Sequence, residues 1–214
     1  MEKSQLDLEA TRRMFLFVSG QMRASTDFLT ELDKAIGDGD HGVGMARGFE
    51  VVATELEKKS FDSIGTLLQA IGTGLMMSIG GASGAIFGTL FRGGAAKLMA
   101  EKKFTSRVLS QMLSDGLDSV KARGKAKPGD KTIVDALEPA AKVAREFVDA
   151  PLYQALIAIS EEARQGMENT KGMVATTGKA KTLGPRALGH ADPGSASIYL
   201  ILKFMMEFAT ACDS

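Results

Sequence analysis

Three aspartates, Asp33, Asp38 and Asp40, fall within eight positions of the run Asp33-Lys34-Ala35-Ile36-Gly37-Asp38-Gly39-Asp40-His41-Gly42-Val43-Gly44. Hard divalent cations take oxygen ligands, and magnesium is held by one or two carboxylates together with substrate phosphates. Glycine reaches the positive-φ conformations that fold such a strip into a tight turn. A helix starting directly afterwards offers backbone N–H groups and a positive dipole end, both suited to phosphate. Carboxylates, cation and helix terminus thus describe one nucleotide-phosphate site. The plainer reading is a capped surface turn in which Asp40 serves the next helix. Asp-Gly-Asp alone favours that turn, whereas three clustered aspartates followed by His-Gly-Val-Gly favour the cation. A calcium EF-hand is excluded: counted from Asp38, position six is Val43 where glycine is required, and position twelve is Phe49 where glutamate is required.

Three further stretches carry chemistry-capable residues. In Met77-Ser78-Ile79-Gly80-Gly81-Ala82-Ser83-Gly84, backbone without side chains lets a ligand approach, and Ser83 can donate to a phosphate from a new helix start. More glycines stand at 72, 74, 88, 93 and 94, and most of those beyond Gly84 fit tight helix–helix packing instead. A glycine inside a helix costs about 1 kcal/mol relative to alanine, so such a run needs a compensating contact. The turn from Arg123-Gly124 to Lys131-Thr132 opens a helix and could hold a base or phosphate edge; a solvated charged loop is an equal reading. The segment from Gly178-Lys179 to Asp192-Pro193-Gly194 reads as an ordered lid. It is not a Walker A loop, because Gly172 to Gly178 is one residue too long and Ala180 stands where a hydroxyl is required.

The chain's two histidines, His41 and His190, both lie in these stretches. With the single Cys212 near the carboxyl end, neither a thiol–imidazole pair nor a nitrogen–sulfur zinc site has support. Cys212 reads as a small apolar side chain on the last helix.

The elements that position these residues are helical. Met45, Phe49, Val52 and Leu56 share a helix face, as do Leu109, Leu113, Leu117 and Val120. The same holds for Ile133, Leu137, Ala140 and Ala144, for Leu152, Leu156, Ile159, Ala163 and Met167, and for Ile198, Leu202, Met205 and Phe208. The spacing predicts helices over 6–24, 26–36, 41–58, 63–78, 83–101, 105–123, 131–148, 152–171 and 194–211, with one of the early pair reduced to a turn, so about eight in all. Ser63 and Thr105 read as N-caps, and Asp130 directly precedes a helix. No strand is required. Short connections make neighbours antiparallel. The exception is Gly172 to Gly194, with five glycines, two prolines and no clean period. A loop of that length inside a compact domain is functional or mobile.

Residues 1–214 fit one domain large enough for a continuous core, and the twelve methionines suit that core as gap-fillers. The 26 basic and 26 acidic side chains cancel, which gives no electrostatic case for nucleic acid or an anionic membrane. No apolar run approaches the roughly 20 residues that span a bilayer, and charges interrupt the amino terminus. A cytoplasmic protein is expected.

Taken in order, Gly-Asp-Gly-Asp-His-Gly, Gly-Gly-Ala-Ser-Gly, Pro-Gly-Asp-Lys-Thr and Gly-His-Ala-Asp-Pro-Gly resemble the nucleotide-binding, or L, subunit of dihydroxyacetone kinase, from Leu8 to Ala209. The resemblance implies an all-α antiparallel barrel of eight amphipathic helices with ADP or ATP at one end. It implies that Asp33, Asp38 and Asp40 hold two Mg2+ ions bridging the phosphates. His41, Gly42, Val43 and Gly44 would meet the phosphates, joined by Ala82 and Ser83. Gly124, Thr132 and Ile133 would border the base, and Asp192, Pro193 and Gly194 would close over ribose or adenine. Lys179 stands where the family pattern has a lid arginine, and it offers a point charge without a planar fork.

The family also implies partners: a K subunit that anchors the ketone covalently through its own histidine, a phosphohistidine-carrying (M) subunit that recharges the nucleotide in phosphoenolpyruvate-dependent systems, and a homodimeric state. This chain would then supply only the phosphoryl donor. Rival readings are a regulatory module that contacts a transcription regulator, a helical nucleotide pyrophosphatase, and the nucleotide domain of an erythrulose or fatty-acid kinase. Pyrophosphatases of that kind carry carboxylates at i, i+3 within a helix, whereas here the carboxylates sit at a glycine turn.

Overall fold

The computed structural model describes residues 2–211, so Cys212 lies outside the described residues. Nine α-helices are present among them: α1 (Leu8–Ala24), α2 (Thr26–Ile36), α3 (His41–Lys58), α4 (Ile64–Ser78), α5 (Gly81–Ala95), α6 (Ser106–Gly124), α7 (Val134–Glu146), α8 (Leu152–Asn169) and α9 (Pro193–Thr210). Eight of them pack side by side in a ring, α1, α3, α4, α5, α6, α7, α8 and α9, which closes where α9 meets α1. The ninth, α2, lies beside α3 outside that ring. Both members of the early pair are therefore full helices, and eight describes the barrel rather than the whole chain.

Each helix turns its apolar stripe to one core. Met45, Phe49, Val52 and Leu56 of α3 are fully buried, as are Leu152, Leu156, Ile159 and Ala163 of α8. Local caps fix where these helices begin. Ser63 accepts the Thr66 N–H at 3.1 Å while the Thr66 hydroxyl accepts the Ser63 N–H, a reciprocal capping box. Asp7 and Thr105 accept the N–H groups of Ala10 and Val108. Gly72, Gly88, Gly93 and Gly94 serve packing. A β-carbon on Gly72 would lie 2.8 Å from the Gly88 carbonyl oxygen, so α4 and α5 approach backbone to backbone there.

Several boundaries differ from the periodicity. Helix α5 ends at Ala95, because the following turn gives its Leu98 and Glu101 carbonyls to the N–H groups of Gly65 and Ile64 at the start of α4. Two short strands, Leu6–Asp7 and Lys103–Phe104, pair antiparallel across the base of the barrel wall, too short to leave a period-two pattern. Helix α7 starts at Val134 rather than 131, since Lys131 adopts a left-handed φ of 59°. Asp130 caps nothing; Asp135 takes the N–H groups of Gly129 and Thr132 instead. Between Thr170 and Ala187 the chain forms two 3₁₀ segments, Thr170–Gly172, which packs on α8, and Lys179–Ala187, which packs on α2. Among the described residues no helix is long and apolar enough to cross a membrane.

Candidate functional site

A cavity of about 750 Å³ opens at one end of the barrel. Three α-helices, α3, α5 and α9, start at its wall, and the first two leave amides uncovered there. The first intrahelical bond of α3 runs from the Gly44 N–H to the Asp40 carbonyl, so the amides of Gly42 and Val43 precede it. In α5 the corresponding bond runs from Gly84 to Gly80, which leaves the amides of Gly81, Ala82 and Ser83 ahead of it. Gly80 and Gly81 have φ of 80° and 57°, and a β-carbon on Gly81 would meet nothing within 4 Å. The glycine pair thus turns the chain into α5 without covering the helix start.

The three aspartates come together at the same rim. Each offers a carboxylate oxygen within 4.8 Å of the others. They are not equivalent. Asp33 is buried on α2 and its carboxylate accepts the His41 N–H at 3.1 Å, which makes it the side-chain acceptor at the start of α3. Asp40 occupies the N-cap position without capping, so its carboxylate stays free for another role. Asp38 and Asp40 point outward, and the Lys179 ammonium rests between them. Its hydrogen bond holds the Asp38 carboxyl below the usual carboxylate range, and the two carboxylates raise Lys179 in turn.

His41 is buried, with Nδ1 3.3 Å from the Ser83 hydroxyl and Nε2 2.8 Å from that of Ser197. Burial pushes its pKa down, which keeps the ring neutral and lets it link the starts of α3, α5 and α9. Asp192 caps α9 by accepting the Ser195 N–H at 2.7 Å, with Pro193 in the first turn. Burial pushes the Asp192 carboxyl up to about 7, and Asp135 adds to the effect.

Of the residues singled out in the sequence, Asp33, Asp40, His41, Val43, Gly44, Ala82, Ser83, Gly124, Thr132, Ile133, Lys179, Asp192, Pro193 and Gly194 line this one cavity. Gly42 does not. Its α-carbon faces α2, where a β-carbon would sit 2.2 Å from the Thr26 carbonyl oxygen, so its lack of a side chain serves packing. Asp38 stands at the rim beside the lining residues. Sequence reasoning missed Ile86, Phe87, Val120 and Ala126, the apolar patch opposite the carboxylates. It also missed Arg47, whose guanidinium holds the Ser78 and Ile79 carbonyls at 2.6 and 2.7 Å and so fixes the approach to the Gly80 turn. Neither carries a local motif; both are ordinary residues of helix stripes.

Residues 35–207 match the DAK2 domain family. The chain belongs to that family. This DAK2-domain chain is 40% identical over 182 residues to the ADP-binding subunit DhaL of the PEP-dependent dihydroxyacetone kinase of Escherichia coli, covering 84% of this chain and 87% of that one. It is 34% identical to L-erythrulose kinase of Pectobacterium atrosepticum over 84% of this chain but 31% of that one. The dihydroxyacetone kinase of C. freundii in complex with AMP-PNP and Mg2+ superposes with a TM-score of 0.72 at 27% identity, over 92% of this chain. The DAK2-domain chain spans a third of the length of that kinase.

Proposed function

We propose that this chain is the ADP-binding, phosphoryl-donating subunit of a dihydroxyacetone-type kinase. The observation that carries the reading is the convergence of two helix N-termini and three carboxylates on one cavity. Helix starts suit the phosphates, and the apolar side formed by Ile86, Phe87, Val120 and Ile133 suits a base. Support also comes from relatives named as ADP-binding subunits that this chain matches over most of their length.

The donor set fits magnesium: three carboxylates face one rim, and a side-chain ammonium already rests against two of them as a stand-in cation. Asp33, Asp38 and Asp40 would hold two ions. When bound, these ions would neutralise charge on the phosphoryl oxygens. The chain's own residues do the rest by positioning. Amides of Val43, Ala82 and Ser83 meet phosphate oxygens, neutral His41 holds the two helix starts in register, and Pro193 and Gly194 border the nucleoside.

The ketose would sit on a separate K subunit, and a phosphohistidine-carrying subunit would recharge the nucleotide. The test is reconstitution. The purified chain should bind ADP in the presence of magnesium and phosphorylate no ketose by itself, and adding a K subunit and a phosphoryl source should give turnover. Absence of ADP binding, or steady ketose phosphorylation by the chain alone, overturns the reading.

A further inference from the structure

Lys131 is 2% exposed; it lies in the cavity wall beside Thr132 but belongs to neither the carboxylate cluster nor the helix starts. Its ammonium donates to the Thr170 carbonyl at 2.6 Å and to the His190 carbonyl at 2.5 Å. These two residues are the entry and exit of the lid. Two further bonds close the same base: the Gly189 N–H donates to the Lys171 carbonyl, and the Asp192 N–H to the Thr170 hydroxyl. The backbone that carries Lys131 is itself held, because Asp135 takes the N–H groups on either side, from Gly129 and Thr132. Its left-handed φ, unusual for a residue with a β-carbon, marks a conformation imposed by these surroundings. Burial pushes the pKa of its ammonium down, and Asp192 and Asp135 counter only part of that.

Farther out the lid is held differently. Thr176 is tied to Asp130 through both its N–H and its hydroxyl. From Thr177 to Leu188, the hydrogen bonds that leave the lid, among the described residues, are those of Lys179 to Asp38 and Asp40. The lid therefore has a buried base on Lys131 and an outer part that packs on α2 and whose outward hydrogen bonds come from one exposed side chain, Lys179.

We propose that Lys131 is a positioning residue that clamps both feet of the lid, so that the lid opens through its outer part alone. Lys131 acts through Thr170 and His190 and sets where Asp192, Pro193 and Gly194 stand. The ligand in this proposal rests on the nucleotide reading; the clamp itself belongs to the ligand-free chain.

The experiment compares the full chain with Lys131→Met, which keeps the apolar stem and removes the donors. Trypsin acting on the ligand-free wild type should cut at Lys179, Lys181 and Arg186 and spare Lys171 at the base. In Lys131→Met, cleavage at Lys171 should speed up, and ADP with magnesium should bind about tenfold more weakly, the scale expected for losing a charge-assisted hydrogen bond. Helix content should be retained, because methionine keeps the apolar packing of the stem, and a residue that served packing alone would leave cleavage at Lys171 unchanged. Unchanged cleavage at Lys171 with unchanged ADP affinity overturns the clamp. Should the variant fail to fold, hydrogen exchange on the wild type decides. The amides of Gly189 and Asp192 should exchange as slowly as the core helices and those of 178–186 much faster, and equal exchange of base and outer part overturns the proposal. If instead the nucleotide reading fails, wild-type ADP binding is absent while the contrast in proteolysis remains.

Discussion

The Lys179 ammonium lies 2.5 Å from a carboxylate oxygen of Asp38 and 3.3 Å from one of Asp40, across some 140 residues of chain. This lysine therefore occupies, in the ligand-free chain, charge positions that a divalent cation would need. On the proposed reading it would compete with metal until nucleotide phosphates drew it away. Exposed ion pairs are worth roughly 0.2–1 kcal/mol, so the competition is mild. Lys179→Met should tighten Mn2+ binding to the nucleotide-free protein about two- to fivefold on that scale. Titration followed by electron paramagnetic resonance reads the change directly. An unaltered or weaker Mn2+ affinity would show that lysine and metal do not share the site.

The division of labour among the carboxylates leads to a second expectation. Asp33 serves the start of α3 by accepting the His41 N–H, whereas Asp38 and Asp40 are exposed and bond only to Lys179 among the side chains described. Asp33→Ala should lower unfolding stability by about 1 kcal/mol, the usual loss for a helix-cap acceptor. Asp38→Asn and Asp40→Asn should stay within about 0.5 kcal/mol, as surface changes do. All three should lose magnesium-dependent ADP binding. Urea unfolding with calorimetric titration separates the two effects; equal stability losses at all three positions would contradict the assignment.

Much of this was legible because helical faces and glycine turns act locally. The stripe Met45, Phe49, Val52, Leu56 is buried as its spacing demands, and the caps at Ser63 and Thr105 stand where their side chains can reach an N–H three residues on. The carboxylate cluster was legible for the same reason, since one turn brings Asp38 and Asp40 together. What stayed hidden depends on residues far apart in sequence. The buried role of Lys131 rests on Thr170 and His190, and the link from His41 to Ser197 spans 156 positions. Asp130 was misread because Asp135, the second residue of α7, supplies the acceptor that a preceding residue usually provides. The ninth helix was ambiguous because α2 lies outside the ring and needs only a narrow stripe, with Leu29 and Ile36 buried.

Asp192 should make stability fall as pH rises. Its folded pKa is pushed up to about 7 from an ordinary 3.8 by burial. Between those values the folded chain holds a proton that the unfolded chain has released. The contribution is thus fully present below about pH 4 and is lost as pH rises through 7. The rise from 3.8 to about 7 corresponds to at most about 4 kcal/mol. Asp192→Asn keeps an acceptor for the Ser195 N–H and cannot ionise, so its stability relative to wild type should grow steadily from pH 4 to pH 7. Parallel curves for the two proteins over that interval would mean that Asp192 is ionised in the folded chain throughout.

ADP and magnesium should stabilise the fold cooperatively, each depending on the other. Asp33, Asp38 and Asp40 bring three carboxylates to one rim, and a diphosphate brought there alone meets their charge. Lys179 offsets only part of it. Magnesium alone gains little as well, because it sheds water reluctantly without phosphate oxygens to complete its shell. A ligand at a hundredfold above its dissociation constant adds about 2.7 kcal/mol to stability. For a chain of this size each kcal/mol moves the midpoint by roughly 2–4 °C. Both together should therefore raise the melting temperature of nucleotide-stripped protein by about 5–11 °C, and either alone by much less. Thermal scans with ADP, with magnesium, with both, and with both on Asp40→Asn provide the comparison. The shift with both ligands should collapse in the variant, whose exposed side chain contributes nothing to the core. An equal shift from ADP with and without magnesium, or a full shift in Asp40→Asn, would mean that nucleotide binds without a metal bridge to these carboxylates.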